Sequence, residues 1–229
     1  MVKAMATYAI GDIHGCYDEW KKLMKMIKNQ DRSARFIFVG NVIDRGPQSK
    51  KMLRWCKHHI SKKGKYRMVI GNHEYECIKR RKNTFEKTFF GRLPFHIDIV
   101  VNNRRFIIAH SDIPDSVIQK DFSLKKQAFL NNKEKLAIVW NRSTEDVKIP
   151  DAILVHGHTP TIFKEAFKPE NYSLKRLARI YVSGNRINVD CGVGYLFRTY
   201  RRLAAIRLED LKEFYLECSY INNATKGGV

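Results

Sequence analysis

Short apolar strands alternate with amphipathic stretches through the first third of the chain. Ala6-Thr7-Tyr8-Ala9-Ile10 reads as a buried strand, and Trp20, Leu23, Met24 and Ile27 then recur at i, i+3, i+4 and i+7. That spacing predicts a helix over Tyr17 to Lys28 with one apolar stripe. Arg35 to Val39 predicts a second strand. Gln48 to Ile60 predicts a second helix, with Met52, Leu53, Cys56 and Ile60 facing inward, and Tyr66 to Ile70 a third strand. A polar helix is expected over Glu74 to Thr88. Phe95 to Val101 and Arg105 to Ala109 form a hairpin through Asn102-Asn103, a turn pair that tolerates positive φ. Ile153 to His156, Arg186 to Val189, Leu203 to Leu208 and Glu213 to Cys218 add strands, so the second half is richer in β structure. The expected class is α/β, mixed α+β: a sandwich of two mixed sheets flanked by helices. One domain is expected over residues 1–221, with a flexible tail at 222–229.

Composition narrows the class. A chain of 229 residues, 44% hydrophobic and 11% aromatic, is long enough for a substantial core. No apolar run approaches the roughly 18 residues of a membrane-spanning helix. The first strand begins so early that no signal peptide is expected ahead of it. Five cysteines (Cys16, Cys56, Cys77, Cys191, Cys218) without CxxC spacing predict reduced thiols and no zinc finger. A cytoplasmic protein with no membrane partner follows. The formal charge of +20 favours anionic partners. No RNA-recognition signature accompanies it, so nucleic acid is not the favoured partner.

The chemistry lies in short polar motifs where the predicted strands end. They are Gly11-Asp12-Ile13-His14-Gly15, Gly40-Asn41-Val42-Ile43-Asp44-Arg45-Gly46, Gly71-Asn72-His73-Glu74, His110-Ser111-Asp112 and Gly157-His158-Thr159-Pro160. Open α/β sheets gather their ligands beyond strand carboxyl ends. Oxygen and imidazole donors from several loops suit two divalent cations, and adjacent glycines let the backbone come close.

This motif set resembles the phosphoprotein phosphatase family of metallophosphoesterases, in particular its small bacteriophage lambda type of serine/threonine phosphatase. Leu93-Pro94-Phe95, Val139-Trp140-Asn141-Arg142 and Asn188-Val189-Asp190-Cys191-Gly192 extend the likeness, which runs from about Tyr8 to Leu208. The resemblance implies a calcineurin-like β-sandwich holding two divalent metals, with Mn²⁺ expected and iron or zinc as alternatives. It implies that Asp12 and His14 hold one metal and Asn72, His110 and His158 the other. Asn41 stands where the family has a shared aspartate. Arg45 and Arg142 would grip phosphate. His73, oriented by Asp44, would protonate the leaving group after direct attack by a metal-bridging hydroxide. Trp140 is expected to pack beneath Arg142, His156 to be structural, and Asp112 and Asp190 to support loops.

Two departures shape the functional reading. A carboxylate can bridge two cations, whereas the amide of Asn41 offers one neutral oxygen and an NH₂, so strongly reduced activity is expected of this chain. Everything else that catalysis needs is in place, which favours a deliberate inactivating replacement over a natural non-catalytic protein. Ile70 stands where protein phosphatases of the family carry an arginine, as in related dinucleoside polyphosphate hydrolases. The leading expectation is a metal-dependent phosphomonoesterase acting on phosphoserine or phosphothreonine proteins. A hydrolase of diadenosine polyphosphates or an RNA-cap anhydride is the alternative, and a non-catalytic binder of phosphorylated ligands is a third. The oligomeric state is not legible.

Overall fold

Two five-stranded mixed sheets pack face to face in a computed structural model that describes residues 5–80, 85–163, 178–196 and 201–218. The first sheet has the order β10 (Glu213–Glu217), β9 (Arg202–Arg207), β1 (Thr7–Ile10), β2 (Arg35–Phe38), β3 (Tyr66–Met68). Here β1, β2 and β3 run parallel, and β9 lies antiparallel to both β1 and β10. The second has the order β4 (His96–Val101), β5 (Arg104–Ala109), β6 (Ala152–His156), β8 (Arg186–Asn188), β7 (Tyr181–Ser183). Its inner three strands are parallel, and its two edge strands are antiparallel to their neighbours.

Alternation along the strands sorts the core into three layers. On the outer face of the first sheet, Phe36 and Phe38 meet Trp20, Leu23 and Ile27 of α1 (Tyr17–Gln30) and Met52 and Trp55 of α2 (Ser49–His59). The Trp20 ring sits edge-on to Phe36, Phe38 and Trp55, with centroids 5.0–5.6 Å away. Burial of each such large apolar side chain contributes about 1.5–3 kcal/mol. Ile37 and Val39 point the other way, joining Ala9 and Ile206 against Phe106, Ile108, Val155 and Ile187 of the second sheet. Beyond that sheet, Ile107, Ala109 and Leu154 pack against Ile138 of α5 (Asn132–Trp140). The predicted sandwich flanked by helices is the observed one.

Several expectations need correction. The single helix expected over Glu74 to Thr88 is two, α3 (Asn72–Arg80) and α4 (Phe85–Phe90), and residues 81–84 lie outside those described. Helix α5 was not expected, because its apolar residues Leu136 to Trp140 are consecutive and carry no 3.6-residue period. Its start is nonetheless written in the sequence: Asn131 accepts from the Glu134 N–H at 2.9 Å, and Glu134 accepts from the Asn131 N–H at 2.9 Å. The short β7 was also missed. Asn102 and Asn103 both take positive φ, as the hairpin requires. The expected tail at 222–229 lies outside the described residues. All five cysteines are free, and no described helix is long and apolar enough to cross a membrane.

Candidate metal centre

Six candidate ligands converge beyond the carboxyl ends of five strands. Asp12 and His14 follow β1, Asn41 follows β2, Asn72 follows β3, His110 follows β5 and His158 follows β6. All six are buried. His14, Asn41, Asp44, Arg45 and His158 adopt φ between 47° and 69°, a left-handed conformation that Asn, Asp and His tolerate better than most residues. The turns therefore aim these side chains inward at some backbone cost. Two glycines make the approach feasible. A Cβ on Gly157 would lie 2.0 Å from Asp12 Oδ1, and one on Gly71 would lie 2.4 Å from Asn41 Oδ1.

At the two poles of the site, groups that carry lone pairs face each other. His14 Nδ1 donates to the Ile43 carbonyl at 3.0 Å, which leaves Nε2 unprotonated and 3.7 Å from Asp12 Oδ2. His110 Nδ1 donates to the Val39 carbonyl at 2.8 Å, which leaves Nε2 facing Asn72 Oδ1 at 2.9 Å. Burial holds both imidazoles well below their usual pKa, so neither takes a second proton readily. Paired acceptors with no proton between them suit a cation, and carbonyl-anchored imidazoles are how proteins orient metal ligands. His158 lies 5.1 Å from the His110 ring, with Nε2 donating to the Trp140 carbonyl at 3.2 Å. Its Nδ1 remains the available nitrogen.

The centre of the site is different. Asn41 Nδ2 donates to Asp12 Oδ2 and to Asn72 Oδ1, both at 2.9 Å, while its Oδ1 accepts from the His73 N–H at 3.1 Å. That third bond fixes the amide orientation, because a flip would set two N–H groups against each other. The atom between the poles is thus a nitrogen with no lone pair to give. The poles fit divalent cations and the bridge does not. Among the described residues no group of three or more His, Cys, Asp or Glu is placed to hold a metal, and two of the six candidate ligands here are asparagines.

Glu74, to which the sequence reading gave no role, holds this loop. Its carboxylate accepts from the backbone N–H groups of Asn41, Val42, Ile43 and Gly71 at 2.8–3.4 Å. Burial pushes its pKa up to about 7 against the pull of those donors. Asp190, expected only to support a loop, does accept from the Gly192 N–H at 3.0 Å. It is also a second buried acid beside Asp12. Burial raises the pKa of both, that of Asp190 to about 6, and their mutual repulsion raises Asp12 further.

The remaining candidates lie around these ligands. His73 Nδ1 lies 2.8 Å from Asp44 Oδ2, and its ring is 4.7 Å from that of His14. Arg45 stacks over Tyr195 at 4.3 Å, a partner the sequence did not signal. The charges of Arg45 and Arg142 both reach His158 and Asp190. Trp140, expected beneath Arg142, instead sets its ring edge-on to His158 at 5.7 Å and is 43% exposed. Asp112 supports loops as expected, and through a partner not foreseen. It accepts from Arg186 at 2.9 Å and from the Asn141 side chain at 3.0 Å, tying the segments that carry His110 and Arg142 together. His156 is buried, with Nδ1 bonded to the Gly157 carbonyl at 3.1 Å.

Comparison with known proteins places these features in context. The calcineurin-like phosphoesterase family matches residues 5–190. A symmetrical bis(5'-nucleosyl)-tetraphosphatase of Methylobacillus flagellatus is 43% identical over 74 residues, covering 32% of this chain and 26% of that protein. The enzyme of the same name from Buchnera aphidicola is 27% identical over 152 residues, covering 58% of this chain and 53% of that protein. The chain thus spans between a quarter and about half the length of these relatives. Among solved structures, a protein assigned as a diadenosine tetraphosphatase superposes with a TM-score of 0.56 at 18% identity, covering 94% of this chain and 95% of that one. A serine/threonine phosphatase from Saccharomyces cerevisiae gives 0.52 at 12% identity, covering 98% and 82%. At these identities the two structures speak to fold alone.

Proposed function

The chain belongs to the calcineurin-like phosphoesterase family, and on that premise we propose that its site is built to hydrolyse dinucleoside polyphosphates rather than phosphoproteins. The observation that carries this choice is Ile70. It is 1% exposed, with its N–H bonded to the Pro94 carbonyl at 2.9 Å, so the strand end before Asn72 presents no third cationic clamp. The names of the curated relatives support the same choice. It reverses the order of the two enzymatic readings made from sequence.

Asp12 and His14 at one pole, and Asn72, His110 and His158 at the other, would hold divalent cations. When bound, these would screen phosphoryl charge and lower the pKa of water. The chain's own groups do the rest. The planar forks of Arg45 and Arg142 bind phosphoryl oxygens and stabilise the charge that builds up in the transition state. The Tyr195 ring, 4.3 Å from the Arg45 guanidinium carbon, helps to hold that fork in place. Asp44 accepts a hydrogen bond from His73 Nδ1–H and so orients the ring; the imidazolium form, protonated at both nitrogens, would give its Nε2 proton to the departing oxygen. Asn41 leaves the bridge incomplete, so turnover by the chain as it stands is strongly reduced.

The test is a substrate panel on the Asn41→Asp chain with Mn²⁺, comparing diadenosine tetraphosphate with phosphoserine and phosphothreonine peptides. Faster turnover of the dinucleotide supports the proposal, and faster turnover of the peptides overturns it in favour of a protein phosphatase. If Asn41→Asp binds phosphate ligands and turns over neither, the site is a binding site.

A further inference from the structure

Away from the metal centre, the edge strands of the two sheets, β3 and β4, border a groove of about 950 Å³. Its floor is aliphatic: Ile60, Met68, Leu93, Pro94 and Ile97. Lys62, Arg67, Arg92 and Lys135 line it with positive charge, and its single lining carboxylate, Asp98, is already bonded to Arg105 through both oxygens at 3.1 and 2.6 Å. Arg67 is the most exacting of these cations. Its Nε is enclosed and has no hydrogen-bond partner among the described residues, and Arg35 beside it adds repulsion. That enclosed N–H is closed to a docked ligand, so what Arg67 offers the groove is its positive charge, which a carboxylate complements.

We infer that this groove docks an acidic peptide, with apolar side chains on the aliphatic lining and carboxylates beside Arg67 and the rim cations. The inference does not depend on the hydrolytic reading. A peptide fits better than single-stranded nucleic acid, because bases need free ring faces to stack on. The groove's Phe95 is already engaged by Tyr75 at 5.8 Å and by Lys135 at 6.0 Å.

The test is selection of random dodecapeptides on the wild-type chain, with the Lys62→Glu/Arg92→Glu chain as counter-selection and circular dichroism to verify its fold. The expected result is enrichment of Asp and Glu interleaved with apolar residues. The enriched peptide should lose affinity by about tenfold or more on the charge-reversed chain, as removal of paired charges does. Selected peptides that are not acidic, or that bind both chains equally, overturn the inference. So does a thymidine oligonucleotide that binds wild type more tightly than any selected peptide and loses that binding on charge reversal.

Discussion

Asn41 Nδ2 donates to Asp12 Oδ2 at 2.9 Å, closing with a hydrogen bond the gap that a shared anionic oxygen would leave for cations. The same NH₂ reaches Asn72, so one amide ties the two halves of the site together. The site is therefore tied together by hydrogen bonds from that amide rather than by a bridging anion, and this has a direct consequence for stability.

Asn41→Asp should destabilise the chain in the presence of a chelator. The new carboxylate would face Asp12 and the Asn72 oxygen with nothing to donate, a penalty of about 1–3 kcal/mol or more. Urea unfolding in EDTA and in Mn²⁺ checks this. The midpoint should fall in EDTA and recover with metal, whereas wild type should respond weakly to either addition.

Glu74→Ala should cost more than about 3 kcal/mol, because four backbone N–H groups lose their common acceptor in a buried setting. Glu74→Gln, which keeps one carbonyl oxygen, should cost less. Denaturant titration of the two variants separates them, and equal losses would mean that the backbone bonds contribute little.

On the Asn41→Asp background, His73→Ala should slow hydrolysis of alkyl phosphates by about 10²–10⁴-fold. Hydrolysis of p-nitrophenyl phosphate, whose leaving group needs no proton, should change far less. Asp44→Asn should give the same pattern in milder form, since Asp44 acts through the 2.8 Å contact with His73. A uniform loss across both esters would instead assign His73 to binding.

Arg186→Met should strand the Asp112 carboxylate, both residues being buried. Losing one member of a buried ion pair costs about 3–5 kcal/mol. Thermal unfolding measures the loss, and pairing the change with Asp112→Asn should restore part of it.

His96 gives a pH signature. Burial lowers its pKa, with Asp98 and the Lys125 carbonyl pulling the other way, so the folded state favours the neutral ring. The unfolded chain takes up a proton first, near pH 6.5. The contribution of His96 is therefore complete above about that pH and declines as the pH falls below it. Comparing urea midpoints of wild type and His96→Gln between neutral and mildly acidic pH should show a shallower decline in the variant.

The layer architecture was legible in the chain, and so were the six candidate ligands that the fold brings together. Period-two and 3.6-residue patterns are local consequences of which face is buried, so α1, α2 and the inner strands were legible. The glycine-flanked motifs were legible because ligands must sit at strand ends. Which groups act on one another was not legible, because it depends on contacts between distant segments. Glu74 looked like the tail of a motif until folding set its carboxylate under the Asn41 loop. Arg186 carried no pattern at all, because its partner Asp112 lies 74 positions away in the chain. Helix α5 escaped because its apolar residues are consecutive. The identity of residue 41 was plain from the start, but its effect was not. A side chain's hydrogen-bond role depends on what folding brings within about 3 Å of it, and that is a property of the fold rather than of the residue.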